Sequence, residues 1–474
     1  MSQKKVPEPK AGLRRCRRRM SMRPAHAPTR PLKPRATLVR RMPRTGWLLL
    51  ATVLLTLPTL APAAQPFAGM TYTLRPDGSL ALLGVDPQGG TATLVSDGAE
   101  PHILVDRLGR SILVGDQLGV SISLDGGQTW FPNTPPFIPG HDPIFGIGIY
   151  DGWSLAQDDA GTIYASTTDG AIINVASSRN GGLTWDITPS TFVVDPGVIA
   201  DRPWMAARGA GQVAVTWNEG GFWQRCAFTT NGGLTWSRTV PALTTNGLPI
   251  GGIPAFHTGG RLVYAGNGGV GGAAETLFRY PTASPCAGIM QELDLPPVGD
   301  QLSTHVVTDP SGGIYLATPT PDNKAMTIVG YQGWDASTMK RLTVSPPSLL
   351  GNTFGTIAIR GNGELSVTWY STAWPGNFQN PSFNGHWNVT NARVKDFWSA
   401  TPTIVFQQVT TQSHHVGDIC MLGTNCDVNG QGDRDLLDYF STAYDAAGNL
   451  HVAYAADGAT SQARTYYAKL PALT

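Results

Sequence analysis

Two charged clusters in this 474-residue chain bring together side chains that could do chemistry. The first is Asp201-Arg202-Pro203-Trp204, and the second is Gly432-Asp433-Arg434-Asp435-Leu436-Leu437-Asp438-Tyr439. Each sets a guanidinium beside carboxylates. A planar guanidinium fork grips a carboxylate through two parallel hydrogen bonds. Paired carboxylates can act as acid and base in glycoside hydrolysis. Clustered Asp oxygens also suit a hard cation such as Ca²⁺, which takes about six to eight oxygen ligands. The plainer reading is that each Arg pairs with its flanking Asp and holds a strand end.

The elements that position these clusters are legible in a repeat. Ser123-Leu124-Asp125-Gly126-Gly127-Gln128-Thr129-Trp130 is followed by Ser178-Arg179-Asn180-Gly181-Gly182-Leu183-Thr184-Trp185 and by Thr229-Thr230-Asn231-Gly232-Gly233-Leu234-Thr235-Trp236, with 55 and 51 residues between successive copies. A period of roughly 50 residues is the mark of a repeat architecture. The Asp or Asn caps a turn, Gly-Gly supplies positive φ, and the Trp opens the next strand. A second series of turn glycines, Gly109, Gly161, Gly211, Gly260, Gly313, Gly363 and Gly448, separates pairs of short apolar strands. Alternating strands recur with turn signals, and no long helical period occurs, so the chain reads as all-β.

The three copies resemble the Asp box, or BNR repeat, of the sialidase-like β-propellers. That resemblance implies four-stranded antiparallel blades with the box between the third and fourth strands. The seven glycine turns predict seven blades; the usual six of sialidases is the alternative. In such a ring the innermost strand of each blade is its first. One face then carries the loops that lead into the innermost strands, and the other carries the Asp boxes and glycine turns. We call these the upper and lower faces. Arg107, Arg110, Arg208, Arg261 and Arg360 map to the lower face. The upper face collects Asp142, Asp151, Asp201, Asp300, Asp418, Asp433, Asp435 and Asp438, with Arg202 and Arg434. Residues 70–84 are expected to add a strand that locks the last blade to the first.

Sialidases use a Tyr nucleophile activated by a Glu, an Asp acid/base and three arginines that hold the sugar carboxylate. The resemblance therefore points to Tyr439 as nucleophile, Glu219 as its partner, Asp201 as acid/base, and Arg202 and Arg434 as carboxylate ligands. Asp151, Asp300, Asp433, Asp435 and Asp438 would line the binding site. The Phe/Tyr-Arg-Ile-Pro motif of the family is missing; Leu74-Arg75-Pro76 is the nearest segment, so the arginine triad is not evident. Trp369, Tyr370, Trp374, Phe378, Phe383 and Trp387, in an insertion at about 371–432, are candidates for a sugar platform or for packing. His414-His415 lacks a companion motif and reads as a solvated pair.

Charge divides the chain. Residues 1–44 carry +14 and the remainder −13. An acidic folded part argues against a nucleic-acid partner. Residues 1–41 read as a basic disordered leader, or as sequence ahead of a true start at Met42. Residues 42–63 have the charge, apolar run and Ala61-Pro62-Ala63 ending of a signal peptide cleaved near Ala63, which predicts a secreted or periplasmic domain over 64–474 without stable membrane insertion. Export favours disulfides. Cys420 and Cys426 would close a short loop, leaving Cys226 and Cys286 to pair if their strands are neighbours.

Two functions follow. One is a secreted glycan-directed propeller that binds or hydrolyses an extracellular carbohydrate or glycoconjugate, with sialidase-like exo-glycosidase activity if it is an enzyme. The other is a non-catalytic protein-binding or assembly propeller. The oligomeric state is left open.

Overall fold

A computed structural model of the chain describes residues 70–74, 80–85, 92–136, 151–168, 172–187, 192–193, 199–219, 223–238, 250–267, 276–280, 286, 291–361, 363–423, 426, 432–457 and 462–473. The leader, the signal-peptide pattern and Asp142 lie outside them. The described residues form a seven-bladed β-propeller of antiparallel sheets, with almost no helix. Blade one holds His102–Val105, Ile112–Asp116, Gly119–Ser123 and Phe131–Pro132. Blade two begins at Asp151–Gln157, blade three at Ala200–Arg208, and blade four at Ile250–Gly251 and Ala255–Phe256. Blades five, six and seven begin at Val306–Thr308, Gly351–Ile359 and Ser441–Tyr444. Each of these innermost strands touches that of the next blade, and Ser441–Tyr444 touches His102–Val105, so the ring closes.

Burial explains the closure. Among the described residues, seven apolar clusters occur, one at each blade interface. The cluster between blades one and two, for example, combines Leu113, Val120 and Ile122 with Trp153, Leu155, Ile163 and Ala165. No blade can bury both its faces alone, so each depends on its neighbours. A closed ring also leaves no long open sheet edge.

The three boxes sit between third and fourth strands. In the first, Asp125 Oδ1 accepts from the N–H groups of Gln128 and Thr129, both at 2.9 Å. Gly126 and Gly127 have φ of +78° and +95°. The box presses on the preceding blade: Trp130 meets Tyr467 edge to face at 5.2 Å, and a Cβ on Gly127 would lie 2.1 Å from the Tyr467 ring.

Three expectations are corrected. The closing strand is Thr93–Ser96, which pairs with Arg464–Leu470 and completes blade seven. Residues 70–74 instead pair with Thr403–Gln408 and extend blade six. The segment nearest blade one in sequence is the one that can reach across the seam. In blade five the positive-φ turn glycine is Gly312, at +94°, and Gly313 begins the next strand. The stretch 371–432 contains two regular strands of blade six, His386–Lys395 and Thr403–Gln408. Its described residues in excess of an ordinary blade lie at 373–385 and after Gln408, where His415–Val416 pairs with His386 and Trp387.

Cys226 and Cys286 are bonded and link blades three and four; Cys420 and Cys426 are bonded within the last long loop. Among the described residues no helix is long and apolar enough to cross a membrane.

Candidate functional site

The turn glycines give a ruler for the propeller axis. Counting back nine residues from each reaches Glu100, Gly152, Arg202, Gly251, Ser303, Phe354 and Tyr439. Counting back seven reaches His102, Ser154, Trp204, Ile253, His305, Thr356 and Ser441. Counting back five reaches Leu104, Ala156, Ala206, Ala255, Val307, Ala358 and Ala443. Alternate residues of a strand share a face, so the innermost strands stack these positions as rings from the upper face downward.

The second ring is a girdle that stitches blade to blade. Ser441 Oγ accepts from Ile103 N–H at 2.6 Å, His102 Nδ1 from Leu155 N–H at 3.0 Å, and Ser154 Oγ from Met205 N–H at 3.0 Å. Trp204 Nε1 donates to the Gly251 carbonyl at 2.7 Å, Val306 N–H donates to the Ile253 carbonyl at 3.1 Å, and His305 Nδ1 meets Thr356 Oγ1 at 2.9 Å.

The uppermost ring holds the candidate site. Strand bulges interrupt the pairing at Asp151/Ser154, Asp201/Trp204 and Thr353/Thr356. They accompany positive φ at Gly152, Arg202 and Phe354, and Glu100 and Leu437 share that conformation. Bulges re-aim side chains at barrel rims and functional sites. Here the re-aimed Arg202, 7% exposed, donates from Nη1 to the Leu302 carbonyl at 3.0 Å and from Nη2 to Asp438 Oδ2. Arg434 grips the same carboxylate with both prongs, Nε to Oδ1 at 3.2 Å and Nη2 to Oδ2 at 2.8 Å. Asp438 is thus a buried anion shared by two guanidinium groups.

Glu100 completes the cluster. It is 4% exposed. Burial and the neighbouring Asp438 charge push its pKa up to about 8, although Arg202 and Arg434 pull the other way. Near neutrality it carries a proton. Gly152 shows how close Glu100 and Tyr439 stand: a Cβ there would lie 1.9 Å from the Tyr439 hydroxyl and 3.9 Å from Glu100 Oε2. Tyr439 in turn packs edge to face on Trp204, with centroids 4.6 Å apart. The arrangement offers a proton-bearing carboxyl, a phenol, two guanidinium groups and a carboxylate at one point on the axis.

Of the residues expected from the sequence, Arg202, Arg434, Asp438 and Tyr439 come together. Asp201 borders them, with Nε of Arg202 at 3.7 Å and its own side chain 45% exposed. Glu219 does not join; it is buried in blade three and hydrogen-bonded to Arg225. Asp300 accepts from Gln379 at 2.6 Å. Asp433 accepts the Asp435 N–H at 2.7 Å within the last loop. Asp151 begins the innermost strand of blade two. Glu100 escaped the sequence reading, yet it stands at the same offset from its turn glycine as Arg202 and Tyr439.

Two further expectations change. Trp369 is buried between blades five and six, and Tyr370, Phe378 and Trp387 between blades six and seven, so they form no platform; only Trp374, 48% exposed, presents much surface. His414 and His415 are buried as well. His415 Nε2 meets the Asp418 carbonyl at 2.9 Å and Nδ1 meets Asp457 Oδ2 at 2.6 Å. A carbonyl only accepts, so Nε2 carries a proton. Burial is the largest influence and opposes charge on this ring, but the hydrogen bond and charge of Asp457, the Asp418 carbonyl and the Asp433 charge together outweigh it and the pKa is raised. His415, Asp433 and Asp457 lie close enough to surround a cation. With Nε2–H held by the Asp418 carbonyl, Nδ1 is the nitrogen that faces Asp457, and a metal there would have to displace the proton that these two groups share.

No family model matches the chain, and no curated protein matches it. Among solved structures, it is similar to YCF48 bound to a D1 peptide, at 12% identity over 81% of this chain and 95% of that one, with a TM-score of 0.46. It is also similar to the α-L-arabinanase of Penicillium chrysogenum complexed with arabinobiose, at 15% identity over 60% and 94%, with a TM-score of 0.41. The NanB sialidase of Streptococcus pneumoniae aligns at 9% identity over 60% and 65%, with a TM-score of 0.39. Likeness at this level leaves the architecture to rest on the seven sheets themselves and says nothing of activity.

Proposed function

We propose that the chain is an exported, glycan-directed propeller of the sialidase-like kind, acting at the upper end of its axis. The convergence of Glu100, Arg202, Arg434, Asp438 and Tyr439 from blades one, three and seven carries this reading. The three Asp-box turns and the two disulfides support the kinship and the exported setting. In the proposed chemistry, protonated Glu100 delivers its proton to a leaving glycosidic oxygen while Tyr439 attacks the sugar carbon and gives its phenol proton to the Asp201 carboxylate; water then breaks the tyrosyl–sugar bond, its proton returning to Glu100 and that of Asp201 to Tyr439. The guanidinium pair, held by Asp438, orients sugar oxygens or a sugar carboxylate. Asp201, at the exposed edge, is the second acid/base candidate.

A panel of fluorogenic glycosides that includes a sialoside tests this. Turnover of at least one substrate is expected, with a loss of at least a hundredfold in Tyr439→Phe and Glu100→Gln. No turnover on any member, with both variants indistinguishable from wild type, would sink the enzyme reading.

One observation favours the alternative of a non-catalytic protein-binding or assembly module. Both guanidinium groups already bond Asp438, as in an internal lock. In that case glycan-array binding would be absent, and pull-down from the extracellular fraction would recover a partner whose capture is insensitive to Tyr439→Phe.

A further inference from the structure

Below Trp204 the axis opens again. A cavity of about 480 Å³ runs from the girdle to the lower face, where Arg107 and Asp159 frame its rim. That volume lies within the range of about 300–1,000 Å³ typical of small-molecule pockets. Its wall is the third ring, in which Ala156, Ala206, Ala255, Ala358 and Ala443 keep the bore open. Its upper end is polar, with His102 and His305 both lining it. Each ring packs edge to face on Trp204, at 6.0 and 5.8 Å. Trp204 therefore separates this cavity from the upper site.

Both imidazoles are held at one nitrogen and unpartnered at the other. His102 is 6% exposed and His305 is 3% exposed. His102 Nδ1 accepts the Leu155 N–H, so its proton sits on Nε2, which has no partner among the described residues. His305 bonds Thr356 through Nδ1, and its Nε2 likewise has no partner among them. Burial lowers the pKa of His102 to about 4. Burial, then His102 and Arg202, lowers that of His305 to about 3. Neutral rings offer an anion no charge. An Nε2–H offers a metal no lone pair. A hydroxyl both donates and accepts, so it satisfies His102 and suits either tautomer of His305. The rim cations are already engaged: Arg107 pairs with Asp159 at 2.7 Å, and Arg208 lies 4.6 Å over Phe256.

We propose that this lower cavity binds a small uncharged alcohol, with its apolar body against the alanine ring and its hydroxyl on the His102 and His305 edge. The site is separate from the upper one and does not depend on the function proposed for it.

The experiment is ¹⁵N-histidine NMR on the folded protein, titrated with cyclohexanol, cyclohexanecarboxylate and cyclohexylammonium. Cyclohexanol should move the Nε2 signals of His102 and His305 saturably, and neither ion should do so. Ala358→Leu, which narrows the bore without touching either histidine, should weaken cyclohexanol at least tenfold. Where that variant fails to fold, Ala443→Val narrows the neighbouring wall and should do the same. Tyr439→Phe should leave cyclohexanol binding unchanged. Unmoved histidine signals up to the solubility of cyclohexanol would mean that water alone fills the cavity and would overturn the proposal. Equal shifts with cyclohexanecarboxylate, or undiminished binding in the narrowed variants, would overturn it too.

Discussion

Arg202 and Asp438 lie 236 residues apart in the chain and meet as a buried ion pair across the top of the propeller axis. The pair ties blade three to the loop that leads into blade seven. Through Arg434 the same carboxylate also holds that loop against itself. The upper site is therefore a product of ring closure.

Removing the shared anion should be costly. Asp438→Asn leaves the buried Arg202 and the partly exposed Arg434 facing an amide, and breaking one side of a buried pair typically costs about 3–5 kcal/mol. Chemical denaturation of wild type and variant should show a loss of that order. A change below about 0.5 kcal/mol would mean that the pair is solvated and contributes little.

Glu100 predicts a pH dependence. Its pKa rises from 4.5 to about 8 on folding. The folded state thus holds a proton that the unfolded state releases in that window, and stability falls as pH rises through it. Glu100→Gln should flatten this slope between pH 5 and 8, by denaturation midpoints measured at each pH. Any glycosidase activity that uses Glu100 as acid should also decline above about pH 8.

His415 predicts a second, separable effect. Its folded pKa is raised above 6.5 by Asp457. Stability from this contact is complete at acid pH below 6.5 and is lost as pH rises through the folded value. The groups facing it are Asp457, the Asp418 carbonyl, Asp433 and His414. The His415 imidazole signals should titrate above pH 6.5 in NMR, and Asp457→Asn should bring that titration down. A His415 that titrates below 6.5 in wild type would contradict the assignment.

Gly152→Ala should damage the upper site more than the fold. Its φ is +42°, and the added Cβ would overlap the Tyr439 hydroxyl. The backbone penalty alone is about 1–2 kcal/mol. The displaced ring should lose its edge-to-face contact with Trp204, which Trp fluorescence would register, and any Tyr439-dependent turnover should fall by at least tenfold. Unchanged fluorescence and rate would show that Tyr439 has room to move.

The blades were legible because their signals are local. A turn glycine or an Asp/Asn-Gly-Gly turn announces itself within eight residues, and the chain repeats it. The site was only half legible. Arg434, Asp438 and Tyr439 stand in one conspicuous cluster, but Arg202 passes over its neighbour Asp201 as its main partner for an Asp on the far side of the ring. Glu100 follows Asp97-Gly98-Ala99 with nothing local to mark it. Its burial and its proton come from three blades that only folding brings together. The aromatics of 369–387 and His414-His415 misled for the same reason: composition cannot say which side of a blade interface a side chain will occupy. The offset of nine residues from each turn glycine would have selected Glu100, Arg202 and Tyr439 together.

The strand that seals the ring has a temporal meaning. Thr93–Ser96 is made before every blade is complete and must wait for Arg464–Leu470, which follows every other described strand. Six blades can assemble in order, but the seventh cannot be completed until Arg464–Leu470 has been synthesised. Contacts of such long sequence separation form slowly. The late clasp therefore defers the assembly of the upper site until both of these strands have been made.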